Sequence, residues 1–375
     1  MGNLLSSENT TVPQLSNDDI FEILAHLPPA SIAKCKLINK SISHFLTSDK
    51  FFHLAQANYT NADSGIFVLY YDDFDLLPLD KHALMPHEAL EFLSDSATIL
   101  GSDNGLVFYK NKNTSPGRRL CVYNPARRSW WSIASPPGDD IFSVPRSSIA
   151  VKFYGGNSPD YKLVYLSPSS NWGSECHCRV YDTAAKTWCI DKMIEVGNRN
   201  IQFEHPVVCG NTVFWASSCG IYMNQDPYII AFDIETERSE MITLPSEAVK
   251  GSADGYEIRI AKWRGKHLCL LHYDKLKQLF TLWLMTINKM TPLWRRMHGV
   301  SIGEVGIEGE VNVEEFILFN SYTIVFNVDR CLYKYNLING ALEKVKKIKS
   351  WMPTLIPYAS TMRPCGRFEG IEIKI

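Results

Sequence analysis

Two spacings of apolar residues divide this chain, one helical up to about residue 58 and one strand-like beyond it. Ile20, Ile23, Leu24 and Leu27 stand at i, i+3, i+4 and i+7, a stripe along one side of a helix. Ser16 with Asp19 three positions on has the form of a capping box, Asp taking the usual place of Glu. The Pro28-Pro29 pair ends this helix, because the residue before a proline is driven out of the helical region. Ile32, Cys35 and Ile38 mark a second helix, Ile42, Phe45 and Leu46 a third, and Phe51, Phe52 and Leu54 a short fourth. The pattern predicts a flexible tail over residues 1–12 and a three- to four-helix unit over 13–58. A unit of about 45 residues buries too little surface to stand comfortably alone, and it has neither a disulfide pair nor a metal motif. Either it packs as a cap on the following domain, or its apolar residues form a docking surface for another protein.

From residue 59 onward the apolar residues gather in short runs rich in Val, Ile, Tyr, Phe and Trp, bounded by Gly, Asn, Asp, Pro or Ser. Gly105–Tyr109, Leu120–Tyr123, Tyr161–Leu166, Arg179–Tyr181, Thr212–Ala216, Ile229–Phe232, His267–His272, Phe280–Leu284, Thr323–Asn327 and Leu332–Tyr335 are of this kind. Helical spacing survives at Pro86–Leu93. An aromatic-Asn/Asp step recurs every 50 to 58 residues, at Tyr123-Asn124, Tyr181-Asp182, Phe232-Asp233 and Tyr335-Asn336, with Met285-Thr286 as a degenerate copy. Trp130, Trp188 and Leu342 each follow such a step by six residues. A period near 50 built from strand hairpins predicts a mainly β body, a kelch-like β-propeller of about six blades over 59–375. One blade cannot cover both its faces, so blades stack radially and large side chains fill the wedges. The alternating run Ile371–Ile375 predicts a last strand, expected to pair with Ile66–Tyr71 and close the ring.

Composition narrows the function. The chain has 375 residues, 45% hydrophobic, with 38 Lys+Arg against 40 Asp+Glu, which excludes wholesale disorder and the basic footprint of a nucleic-acid binder. The apolar runs are too short to span a bilayer and the first residues do not form a secretory signal, so a cytoplasmic or nuclear location is expected. Ten cysteines are scattered without a C-x-x-C pair. In Cys176-His177-Cys178, strand alternation puts both thiols on one face and the imidazole on the other, short of the four ligands of a zinc site. No metal or other cofactor is expected. There is no G-x-S-x-G, Walker loop, H-E-x-x-H or G-x-G-x-x-G. The glycines of Gly299–Gly309 sit among Glu304, Glu308 and Glu310, which would repel phosphate, and Asp182 and Asp233 fall at repeat turns. The chain is not expected to be an enzyme. Glu343–Lys349 reads as an exposed strand whose lysines deter edge pairing. The first six residues fit a myristoylation pattern with Gly2 as acceptor. One acyl chain binds membranes only marginally, on the order of 10⁴ M⁻¹, so no stable membrane insertion follows.

Leu15-Ser16-Asn17-Asp18-Asp19-Ile20-Phe21-Glu22-Ile23-Leu24 resembles the L-P-x-D-L-x-x-E-I-L opening of an F-box. Leu27-Pro28, Ser31-Ile32, Lys34-Cys35-Lys36 and Asn39-Lys40-Ser41 continue the likeness without a gap, with Ser16 in place of the first proline and Ile42 in place of the usual Trp. Further on, Gly101-Ser102-Asp103-Asn104-Gly105-Leu106, Val122–Trp130 and Ala231–Glu237 are similar to motifs of plant F-box-associated domains. The resemblance implies a small N-terminal helical F-box followed by a kelch-like propeller. It also implies a substrate-recognition adaptor of an SCF-type E3 ubiquitin ligase. The F-box would dock a Skp-type linker protein, and through it cullin and RING subunits, while the propeller recruits a substrate protein for ubiquitination. Leu15, Ile20, Ile23, Leu24, Leu27, Pro28 and Ile32 would carry the linker contact, and Trp172, between Ser and Gly residues, is a candidate target anchor. The alternative is a propeller scaffold that joins no ligase.

Overall fold

The computed structural model describes residues 15–27, 29–59, 64–71, 73–79, 90, 93, 97–112, 120–136, 147–155, 158–169, 173–219, 226–249, 255–288, 291–303, 306–307, 311–366 and 370–371. Four short helices come first, α1 (Asn17–Ala25), α2 (Pro29–Cys35), α3 (Lys40–Ser48) and α4 (Lys50–Tyr59). The expected capping box opens α1: the Asp19 amide donates to the Ser16 hydroxyl at 3.1 Å, and the Ser16 amide to the Asp19 carboxylate at 3.0 Å. Asn39 caps α3 through the Ile42 amide at 2.8 Å. Leu24, Ala25, Ile32, Leu46 and Phe52 form the core of the helical unit, with Phe21, Phe45 and Phe52 meeting edge to face or tilted. No helix among the described residues is long and apolar enough to cross a membrane.

Among the described residues twenty-four strands follow, in six sheets. A hairpin of β1 (Gly65–Leu69) and β2 (Phe74–Pro78) belongs to blade 6. Blade 1 holds β3 (Ala97–Asp103), β4 (Leu106–Asn111), β5 (Leu120–Asn124) and β6 (Ser129–Ile133). Blade 2 is β7 (Ser148–Phe153), β8 (Tyr161–Pro168), β9 (Glu175–Asp182) and β10 (Thr187–Glu195), and blade 3 is β11 (Val207–Cys209), β12 (Thr212–Ala216), β13 (Tyr228–Asp233) and β14 (Arg238–Thr243). Blade 4 has β15 (Tyr256–Trp263), β16 (His267–Asp274), β17 (Leu279–Asn288) and β18 (Thr291–Ser301). Blade 5 has β19 (Val313–Phe319), β20 (Thr323–Val328), β21 (Cys331–Asn336) and β22 (Leu342–Lys347). β23 (Thr354–Tyr358) and β24 (Gly370–Ile371) end the chain's strands. The first strands of successive blades, β3, β7, β11, β15, β19 and β23, touch one another in a closed circle. This is a six-bladed propeller.

Six apolar clusters fill the six gaps between neighbouring blades. Tyr161 and Tyr165 lie between blades 1 and 2, and Trp215 between 2 and 3, where its indole N–H donates to the Ser148 hydroxyl at 2.9 Å. Each such fully buried side chain contributes about 1.5–3 kcal/mol, so the wedges rather than the separate blades hold the ring.

The repeated Asn/Asp ends the third strand of blades 1, 2, 3 and 5 and makes the turn itself. The side-chain oxygen of Asn124 accepts the amides of Ala126 and Arg127, Asp182 those of Ala184 and Ala185, Asp233 those of Glu235 and Thr236, and Asn336 those of Ile338 and Asn339. Four positions after each, Arg128, Lys186, Glu237 and Gly340 take a positive φ. The carboxylates of Asp182 and Asp233 thus serve as acceptors for their own turns.

Ring closure differs from the sequence expectation. β1 pairs with β23, Gly65 opposite Tyr358, while the C-terminal Gly370–Ile371 pairs with Ser129–Trp130 on the outside of blade 1. The reason is burial: β23 contributes Leu355, Ile356 and Tyr358 to the core, a driving force that the alternating, half-polar tail lacks. Residues 372–375, the N-terminal tail and most of Pro86–Leu93 lie outside the described residues, and Gly299 belongs to β18.

Candidate docking surfaces and the central channel

The apolar stripe of α1 splits into two roles. Leu24 is 8% exposed and Ile32 fully buried in the helical core, so these two hold the unit together instead of facing outward, because packing of α1 and α2 on α3 and α4 consumes that side. Ile20 and Leu27 are half-buried against the same core, as is Ile42. Leu15 at 58% and Ile23 at 52% stay exposed, joined by Leu37 and Ile38, which the stripe did not single out as contact residues. Pro28, Trp172 and Gly2 lie outside the described residues.

A strap running on from β23, residues 359–366, fastens this unit to the propeller. Met362 inserts into the helical core, its amide donating to the Gln56 side chain at 2.7 Å while Gln56 donates to the Leu27 carbonyl at 3.2 Å. His53 contacts both the Leu46 carbonyl and the Arg127 guanidinium. Asn124, fully buried, donates to the carbonyls of Thr361 at 3.0 Å and Arg363 at 2.6 Å. The Thr361 hydroxyl donates to the Asn104 carbonyl at 2.8 Å, and at Gly105, with φ of +83°, a Cβ would collide with Thr361. The Asn-Gly and Tyr-Asn motifs of blade 1 therefore serve one joint.

At the opposite end of β23, Trp351 is 51% exposed and Met352 82%, close to blade 6, whose β1–β2 turn carries the 98% exposed Tyr71. The Arg330 guanidinium lies 4.7 Å from the Trp351 ring centroid, and the Asn327 amide holds the Trp351 carbonyl at 2.8 Å. Lys349 reaches Asp73 at 2.6 Å and covers the Tyr70 ring, tying the two loops together.

Between the inner strands lies a central cavity of about 740 Å³. Beside it, Arg259 of β15 grips Glu315 of β19 through two bonds of 3.0 and 2.7 Å, with His205 at 3.4 Å. Burial disfavours the Glu315 charge, but the Arg259 guanidinium and His205 outweigh it and hold the carboxyl down at about 2. Burial likewise disfavours charge on Arg259, yet Glu315 raises it above the usual guanidinium range. Cys176 and Cys178 share a face, as strand alternation requires, and burial pushes both thiols up, Cys176 to about 12. Among the described residues no group of three or more His, Cys, Asp or Glu is placed to hold a metal ion.

The family model of the F-box associated beta propeller domain matches residues 82–361, well over half of the chain. The protein belongs to this family. The F-box associated match takes in blades 1 to 5 and the closing strand β23, and begins after the helices, β1 and β2. A search of curated proteins finds no match. Among solved structures, similarity extends to the β-propeller domain of the Trilobed protease from Pyrococcus furiosus, at 10% identity and TM-score 0.37, covering 72% of this chain and 73% of that one. The extracellular domain of the BT4673 system from B. thetaiotaomicron aligns at 8% identity and TM-score 0.37, covering 68% of this chain. A prolyl endopeptidase aligns at 11% and TM-score 0.30, covering 73%. This F-box associated chain spans only 28% and 52% of the last two proteins' own lengths.

Proposed function

We propose that this protein is the substrate-recognition adaptor of an SCF-type ubiquitin ligase. The helical unit docks a Skp-type linker through Leu15, Ile23 and the neighbouring Leu37 and Ile38, while the propeller presents Trp351, Met352 and Tyr71 to a target protein. The observation that carries the reading is the family match joined to a preceding four-helix unit whose sequence resembles an F-box. Trp, Tyr, Met and Arg are the residue types that dominate protein interfaces, and the Trp351 loop and the helical anchor sit at opposite ends of one strand. A target held there and a linker held below do not compete for space. The mechanism is proximity: holding a target beside a charged conjugating enzyme raises its effective concentration, with no bond chemistry in this chain.

Capture by a purified linker protein tests the docking half. Ile23→Asp combined with Leu15→Asp should abolish capture and leave thermal unfolding unchanged, because both side chains face solvent. Leu24→Asp cannot discriminate, since a buried charge would unfold the unit whatever it binds. Failure of the wild type to capture any linker refutes the ligase reading and leaves the protein-interaction scaffold.

A further inference from the structure

The central cavity, about 740 Å³, falls in the size range of sites that bury small organic ligands and far exceeds a packing defect. Towards the end where the inner strands run out, its wall carries cations that the protein leaves weakly answered. Lys262 is half-buried on β15, and its ammonium makes no hydrogen bond and no ion pair among the described residues. Lys152, on β7 two blades away, has a side chain 24% exposed and reaches a single carboxylate, Glu235, at 3.8 Å. Arg264 stands at the rim, donating to the Tyr322 hydroxyl at 2.7 Å. Facing them are Asp103 from β3, Glu204, and His205, the last engaged by Glu315. Burial pushes the Asp103 carboxyl up, against the pull of Lys262 and Arg363.

A half-buried ammonium without an acceptor is an unfavourable state, relieved by water or by an anion. Two lysines and an arginine from the walls of blades 2 and 4 outweigh the acids across from them, and low-dielectric walls concentrate their field in the cavity. The remaining lining is the apolar and small-residue surface typical of ligand sites, including Ile149, Val208, Ile260 and Leu318. We propose that the channel binds a small organic anion bearing carboxylate or phosphate oxygens, with Lys262 and Lys152 as its ion-pair donors and Asp103 as the group that limits how much negative charge it accepts.

Isothermal titration of the full-length protein at low salt, with citrate and with a sugar phosphate as separate probes, tests this. Saturable binding of one equivalent is expected for at least one probe, and comparison of the two distinguishes carboxylate from phosphate preference. Lys262→Met should weaken it about tenfold or more, the loss expected for one charge-assisted hydrogen bond. Asp103→Asn should tighten binding, an effect of opposite sign that misfolding cannot produce. Lys347→Met, on the exposed strand β22, should leave it unchanged. No saturable binding of either probe, equal weakening by Lys347→Met, or competition by inorganic phosphate as strong as by the organic probes would overturn the proposal.

Discussion

Asn124 bears more of the structure than its counterparts in other blades, and replacing it measures how much. All four repeat turns use an Asn or Asp oxygen to hold two backbone amides, but the Asn124 amide group also donates to the Thr361 and Arg363 carbonyls. In Asn124→Ala those two buried carbonyls lose their donor, at roughly 1–3 kcal/mol each, and the turn loses a cap of about 1 kcal/mol. The expected destabilisation is therefore about 3–7 kcal/mol. Asn336→Ala makes the same chemical change at an exposed turn, where water replaces the lost bonds, and should cost about 1 kcal/mol. Urea unfolding followed by tryptophan fluorescence reads both as midpoint shifts at constant slope. Asn124→Asp sharpens the comparison, because it keeps the oxygen for the turn yet points a carboxylate at two carbonyls, and it should be at least as destabilising as Ala at neutral pH. Equal midpoint shifts for Asn124→Ala and Asn336→Ala would refute the claim that the strap contacts stabilise the fold.

Two further outcomes are expected. Glu315→Gln removes the closer carboxylate from the buried Arg259, leaving Glu257 at 3.9 Å, and should cost about 3 kcal/mol, whereas the double change Arg259→Met with Glu315→Leu should restore most of that loss; thermal unfolding of the two variants beside the wild type decides it. Burial of His272 lowers its pKa to about 4, so the unfolded chain takes up a proton first as pH falls. Stability should be complete above pH 6.5 and decline by up to about 3 kcal/mol as the pH drops towards 4, and His272→Gln should flatten that part of the profile in denaturant titrations at stepped pH.

Middle strands were the legible ones. Every apolar run picked out between residues 105 and 335 falls in the second or third strand of a blade, β4 and β5, β8 and β9, β12 and β13, β16 and β17, β20 and β21. Those strands are covered by neighbouring blades on both faces, so their sequences read as continuous apolar stretches. Inner strands escape notice because they mix core residues with the channel's Lys152, Arg259, Lys262 and Glu315, and the outer strand β14 because most of its side chains meet solvent, whereas the lysines of β22 made that outer strand legible as an exposed one. The turn repeat was visible since each Asn or Asp acts on amides two and three residues away. The strap was not, because its partner Asn124 lies 237 residues from Thr361. Helical spacing located α1 but could not separate Leu24 from Ile23, adjacent residues that the packing sends to opposite fates.

The order of synthesis gives the strap a meaning beyond adhesion. β1 emerges from the ribosome with one edge already satisfied by β2 and must wait until blades 1 to 5 have been made before β23 covers the other. The helical unit waits longer still, as the Met362 side chain and the amide that it donates to Gln56 arrive only after β23. A product terminated before β23 would thus display an unfinished ring and a loosened helical unit together, so that the two parts of the molecule reach their native packing only in the same final step.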